Sequence, residues 1–202
     1  MAKGIISARP DVGKPGIIIA MDNNSAEPGN RYTFTTPATL NPGDLVEFTA
    51  TSSTAAGSVV LVQAGQLITT PVTGDLTVAS GKSCLLRGTS VSGNVSVNGG
   101  YLLMDSSATI SGGLTLAANS YVAANTINVA GQTNSSASGS VLALLNCSHR
   151  NHIQSAGNRF VKIQSCSVIG NLSVTSAGTC KCSSNTVSGT TNTPGCTSTP
   201  AA

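Results

Sequence analysis

The chain has 202 residues, of which 8% are charged and 3% aromatic, with no tryptophan and a net charge of +3. This is too apolar and too weakly charged for a disordered chain, and too near neutral to argue for nucleic acid by charge alone. So few large side chains cannot fill a wide core, so a narrow one closed by small and β-branched residues is expected.

The acids are Asp11, Asp22, Glu27, Asp44, Glu47, Asp75 and Asp105, and none follows. Beyond that point the strong bases are Arg150, Arg159, Lys162 and Lys181. No apolar run reaches the length of a membrane-spanning helix. The opening residues, Met1 to Pro10, lack the apolar stretch of a Sec-type signal peptide. The expectation is cytoplasmic synthesis, followed by retention, release by lysis or removal of a leader.

The first part of the chain predicts five short strands: Lys3–Ser7, Gly16–Met21, Arg31–Thr36, Leu45–Thr51 and Gly57–Gln63. Turn signals separate them at Pro10-Asp11, Asp22-Asn23-Asn24, Pro28-Gly29-Asn30, Asn41-Pro42-Gly43-Asp44 and Ala55-Ala56-Gly57. Five strands in so short a span suggest a small barrel, since closure removes exposed edges.

Lys3-Gly4-Ile5-Ile6, Gly13-Lys14-Pro15-Gly16-Ile17-Ile18 and Tyr32-Thr33-Phe34 resemble the start of a cold-shock domain, an OB-type barrel. Gly43-Asp44-Leu45-Val46-Glu47-Phe48 and Ala56-Gly57-Ser58-Val59-Val60 are similar to its fourth and fifth strands. That resemblance implies single-strand binding by bases stacked on exposed aromatics. The chain departs from it where the family carries first-strand aromatics, because Ala8 and Arg9 stand there. Tyr32 and Phe34 are the residual nucleic-acid face. The favoured reading is a docking barrel, with nucleic-acid binding as the alternative.

From Gly74 a glycine recurs every nineteen residues, at Gly93, Gly112 and Gly131 and, after one slipped residue, at Gly170 and Gly189. A fixed period of this length is the signature of a solenoid. Two residues before the glycine stand Val72, Val91, Ile110, Val129, Val168 and Val187. Leu76, Val95, Leu114 and Leu172 follow it by two, and Val78, Val97, Leu116 and Val174 by four. Same-parity strand positions point one way, so these residues face inward. The glycine itself is expected to bend the chain at a corner. Asn151 replaces it in one rung and is expected to take the turn conformation that the glycine takes elsewhere. Thr133, Ser135, Ser155 and Thr191 interrupt the apolar code.

A second apolar patch follows each glycine, at Cys84-Leu85-Leu86, Tyr101-Leu102-Leu103-Met104, Tyr121-Val122-Ala123, Val141 to Leu145, Phe160-Val161-Lys162-Ile163 and Cys180-Lys181-Cys182. Two or three short strands per repeat make one rung of a parallel β-helix, with rungs about 4.8 Å apart. Repeats of the Gly-Asn-Leu-Ser-Val kind resemble those of bactofilin-like, polymer-forming bacterial β-helix proteins.

Six cysteines stand at 84, 147, 166, 180, 182 and 196. Cys147 and Cys166 hold the same place in adjacent rungs and stack there, as free thiols or as a disulfide. Cys196 closes the last rung and can bridge to Cys180 or Cys182, which share one face of their strand. The Cys180–Cys182 spacing is too short for a zinc knuckle, and His149 and His152 lie over a rung away, so no metal site is predicted. The two histidines read as a surface corner.

The expected architecture is all-β: an OB-like five-stranded barrel over 1–66, a single-chain parallel β-helix over 67–196 and a tail over 197–202. Asp75 and Asp105 are the only carboxylates in the column, in different rungs, so no catalytic or cofactor-binding residue is assigned. The expected role is structural and non-enzymatic, with a docking barrel and a projecting column. By architectural analogy this suits a virion component, a phage capsid decoration or spike protein, self-associating as a trimer. A bacterial fibre or scaffold polymer, in the cytoplasm or at the cell surface, is the alternative. The expected partners are copies of itself or other structural proteins, with no membrane.

Overall fold

A computed structural model describes residues 1–11, 13–35 and 39–197. Thr36 of the third predicted strand and residues 198–202 of the tail lie outside the described residues. The described residues form strands and no helix.

Five antiparallel strands come first: β1 (Ala2–Ala8), β2 (Gly16–Ala20), β3 (Arg31–Phe34), β4 (Leu45–Ala50) and β5 (Ala56–Gln63). They pair in the order β3-β2-β1-β4-β5. The sheet curls into a half-barrel over Ile6, Ile18, Tyr32, Phe34, Val46 and Phe48. Among the described residues its two edges meet at one parallel bridge, Thr33 to Ala55, where the Thr33 N–H donates to the Thr54 carbonyl at 2.8 Å.

The column starts with a sixth strand, Gln66–Ile68, and consists of three parallel sheets of seven, seven and six strands. One rung reads Ser90–Val91, then Val95–Val97, then Tyr101–Asp105. Each strand pairs with its counterparts in the adjacent rungs; Val95 lies beside both Leu76 and Leu114. The inward residues read from the glycine register form one apolar core from Ile68 to Cys180. The slipped residue sits in the turn 136–140, between Ser135 and Val141; the equivalent turn one rung earlier is 117–120.

The repeated glycine owes its place to close stacking. The Gly93 N–H donates to the Gly74 carbonyl, Gly112 to Gly93 and Gly131 to Gly112, each at 2.9 Å. A Cβ on Gly112 would lie 2.6 Å from the Gly93 carbonyl oxygen and 2.5 Å from Asn94 Oδ1. Of the repeated glycines Gly74 has positive φ, 86°, and the later ones do not; a recurrent left-handed corner lies elsewhere in the rung. Gly88, Ser107, Thr126, Asn146, Ser165 and Ser184 carry it, with φ between 54 and 64°. Asn151 takes the glycine's place in its rung without positive φ, as Gly93, Gly112, Gly131 and Gly170 do in theirs. Gly112→Ala is expected to cost about 1–3 kcal/mol, since the obstacle is backbone that cannot move aside. Urea unfolding measures it; an unchanged midpoint would mean the rungs part freely.

The residue after the glycine explains the recurrent Gly-Asp and Gly-Asn pairs. Asp75 Oδ1 accepts the Asn94 N–H at 2.7 Å, and Asn94 Oδ1 accepts the Gly113 N–H at 2.9 Å. Further along, His152 Nδ1 accepts the Asn171 N–H at 2.8 Å, and Asn171 Oδ1 accepts the Thr190 N–H at 2.9 Å. Each side chain thus satisfies a corner N–H one rung on.

The half-barrel lies along the flank of the column. Leu85, Tyr101, Leu103, Ala123 and Ala143 point outward from the five-residue strands and bury against Ile5, Met21 and Leu45. Alternate residues of the same strands, such as Leu102 and Met104, point into the column. Burial on both faces is why these segments read as continuous apolar runs without alternation. The barrel's expected place as a separate docking head changes accordingly, since one of its surfaces docks on its own column.

Candidate functional site

Three features stand out: a polar-rimmed seam between half-barrel and column, a cluster of sulfurs at the column's end, and an apolar barrel edge.

At the seam, β1 and the first rungs are joined by Arg87. Its Nε donates to Asp105 Oδ1 at 2.9 Å, and a terminal nitrogen donates to Asp105 Oδ2 at 2.6 Å and Ser7 Oγ at 2.8 Å. A two-point Arg–carboxylate contact of this kind fixes orientation as well as charge. The hydrogen bond that Arg87 donates to Asp105 holds the guanidinium pKa above its ordinary value, against the opposing effect of burial.

Further down the flank, Glu27 in the turn between β2 and β3 accepts from Lys162 Nζ at 2.7 Å and Lys181 Nζ at 2.5 Å. Burial acts to raise the Glu27 carboxyl pKa. The hydrogen bonds and charges of the two lysines outweigh it and hold the pKa below the ordinary value. Arg159 donates to Asn24 Oδ1 at 2.6 Å. Lys3 lies 5.8 Å from the centre of the Tyr101 ring, which stacks on Tyr121 at 4.5 Å. A cleft of about 360 Å3 opens along the seam between Ile19, Arg31, Asp105 and Asn125.

Sequence reasoning did not assign Glu27 a role, yet the register held the signal. Lys162 and Lys181 stand one rung apart, paired directly in the ladder. Like charges stacked this way repel unless an acid lies between them.

Tyr32 and Phe34 are 4% and 3% exposed. They fill the half-barrel core, with the Tyr32 and Phe48 rings 5.1 Å apart. The residual stacking face is therefore corrected: inward strand parity buries both rings and leaves no surface for a base.

His149 is not a surface corner. It is fully buried and takes the inward place that Val129 and Val168 hold in the rungs either side. Its Nδ1 lies 3.2 Å from Thr133 Oγ1, and its Nε2 has no hydrogen-bond partner. Burial pushes its pKa down to about 4. Thr133, Ser135, Ser155 and Asn158 are buried with it and form a polar layer in the column. The neighbouring hydroxyls orient the Asn158 amide: its oxygen accepts from Ser135 Oγ at 2.6 Å and Ser155 Oγ at 3.1 Å, while its nitrogen donates to backbone carbonyls.

Cys84, Cys147, Cys166 and Cys182 are free thiols. Cys147 and Cys166 stack as expected, with the Cys147 N–H donating to Cys166 Sγ at 3.4 Å. Their mutual hydrogen bond and burial push the Cys147 thiol well up. Burial alone takes Cys84 to about 11. Such thiols are poor nucleophiles.

Of the two bridges open to Cys196, the fold makes the one to Cys180. Thr197 pairs with Lys181, its N–H donating to the Cys180 carbonyl at 3.0 Å, and this sets Cys196 against Cys180. Cys182 Sγ lies 3.5 Å from Cys196 Sγ and 3.7 Å from Cys180 Sγ.

The third feature is the outer edge of the half-barrel. β5 is an edge strand, and Val60, Leu61 and Val62 along it are 57%, 48% and 46% exposed. Because they are consecutive, they bare both faces of the strand.

Comparison with protein-family models, with curated proteins and with solved structures found no match to this chain. The column is a β-solenoid, a fold of structural repeat proteins.

Proposed function

We propose that this chain is a non-enzymatic structural protein, a half-barrel braced against a β-solenoid, that self-associates through the free edge of β5. The exposure of Val60, Leu61 and Val62 carries this reading. An unpaired edge with bare apolar side chains is a template for another strand. Each is about half exposed, so covering the remainder is worth about 1 kcal/mol per side chain. A non-catalytic role is supported by how the column's carboxylates are engaged: Asp105 is tied to Arg87 and Ser7, and Asp75 accepts the N–H of Asn94.

The setting we favour is a virion surface, as a trimeric capsid decoration or spike. A charge-poor column faced with Ser, Thr and Asn and braced along its flank suits a part whose task is shape. A second reading, an end-to-end fibre or scaffold, rests on the strands Gln66–Ile68 and Leu76–Val78, each paired on one side only as the terminal strand of its sheet at the start of the column. The Cys180–Cys196 bridge closes the other end and opposes that reading.

Light scattering on the purified protein is expected to give one discrete oligomer, and Leu61→Lys is expected to convert it to monomer with its circular dichroism unchanged. A monomeric native protein, or an oligomer that survives Leu61→Lys, would overturn assembly through β5. Filaments in negative stain would favour the fibre.

A further inference from the structure

The last rung gathers three sulfurs, and only two of them are used in the disulfide. Cys180, Cys182 and Cys196 offer sulfurs that all lie within 4.8 Å of one another. The third, Cys182, stands beside the Cys180–Cys196 bond at nearly equal distance from both partners, 3.7 and 3.5 Å. Thiol–disulfide exchange calls for attack along the bond, and a sulfur placed side-on is badly set for it. A triangle of sulfurs is instead the arrangement that a tetrahedral thiophilic cation requires. With metal–sulfur bonds of about 2.3 Å, tetrahedral geometry separates the sulfurs by about 3.8 Å.

The backbone, together with the disulfide, brings the three cysteines to one place. Cys180 and Cys182 share the inner face of the strand Thr179–Ser183. Cys196 is brought opposite them by two hydrogen bonds, from the Thr197 N–H to the Cys180 carbonyl at 3.0 Å and from the Cys182 N–H to the Thr197 carbonyl at 3.3 Å. The Cα atoms of Cys180 and Cys196 are 4.5 Å apart. A shallow surface pocket lined by Leu172, Ser183, Asn185 and Thr193 reaches Cys182.

We propose that, once the disulfide is reduced, Cys180, Cys182 and Cys196 form a three-thiolate site for a divalent cation of the zinc class. A thiol reductant supplies two electrons and two protons to the Cys180–Cys196 bond and leaves as its own disulfide. The cation then displaces one proton from each of the three thiols, and water completes the fourth position. The end of the column is thereby clamped in both redox states: covalently when oxidised, by metal when reduced. Sequence spacing alone pointed away from a metal because it paired Cys180 and Cys182 with the histidines. Cys196, fourteen residues beyond Cys182, supplies the third sulfur instead.

The test uses the full chain, reduced with a phosphine under anaerobic conditions, freed of reductant and titrated with Co2+. One equivalent is expected to bind, with a sulfur-to-cobalt charge-transfer band and the visible bands of a tetrahedral ion. Zinc is expected to bleach the spectrum. Cys182→Ser still closes the Cys180–Cys196 disulfide in air, so it tests the site without removing the clamp. It is expected to weaken cobalt binding by more than about tenfold, the scale lost even when an outer partner of a ligand is removed. No charge-transfer band in the reduced native protein would overturn the proposal. A band that persists in Cys182→Ser would also overturn it, since the sulfurs would then belong to another site.

Discussion

Between pH 6.5 and about 4 the protein is expected to lose about 3 kcal/mol of stability through one side chain, His149. The unfolded chain takes up this proton near pH 6.5, whereas the folded chain, which buries the ring, refuses it until about 4. In that window the unfolded state binds more protons, so stability falls as the pH falls. The penalty is absent above pH 6.5 and complete below 4. It has no local relief, because Nε2 has no partner and the neighbouring groups, Thr133 and the Ser135–Ser155–Asn158 layer, carry no charge. Glu27 acts lower on the scale. Its pKa lies below the ordinary 4.5, so the ion pairs to Lys162 and Lys181 contribute above 4.5 and are lost as the pH drops through the lowered value. Urea unfolding at pH 7, 5.5 and 4 separates the two. His149→Val, which installs the residue found at positions 129 and 168, is expected to be flat between pH 6.5 and 4.5. A variant that loses as much stability there as the native chain would show that His149 is not the sensor.

Reduction of Cys180–Cys196 in metal-free buffer is expected to release the last rung while leaving the rest of the column folded. The bridge closes a loop with a sequence separation of 16, for which loop-closure entropy gives about 3 kcal/mol. In a solenoid each rung contacts only its neighbours, so the loss falls on the end of the column. Little else holds that rung. Thr191 and Asn192 are exposed, and Val187 is only partly buried. Amide exchange in 191–197 is expected to accelerate roughly a hundredfold on reduction or in Cys196→Ser, with exchange in the strand Val141–Leu145 unchanged. Equal protection with and without the bridge would mean that the Thr197–Lys181 pairing alone secures the end.

The two cases differ in how far the sequence announced them. The buried place of His149 was legible. It stands two residues before Asn151, as Val129 stands two before Gly131 and Val168 two before Gly170, so the register that placed the valines inside placed the imidazole with them. Chemistry suggested a surface for a polar ring, and periodicity decided otherwise. The stacking of Cys147 on Cys166 followed from the same register and is present. The choice of Cys180 over Cys182 was not legible, because strand alternation puts both sulfurs on one face. The seam was half legible. Unbroken apolar runs such as Val141 to Leu145 signal burial on both faces, and the stacked Lys162 and Lys181 call for an acid, but nothing local names Glu27 as that acid.

By itself the sequence determined the strands of the half-barrel, the nineteen-residue rung with its recurrent glycine and the inward positions. All of these follow from the short-range rules of side-chain alternation, turn chemistry and the room a Cβ needs. Only the tertiary structure decided that the half-barrel lies along the column, that Tyr32 and Phe34 are buried in its core, and that three cysteines converge at the end. Those outcomes depend on contacts between segments as far apart as Glu27 and Lys181, where no period runs from one partner to the other and the matching of two finished surfaces makes the choice.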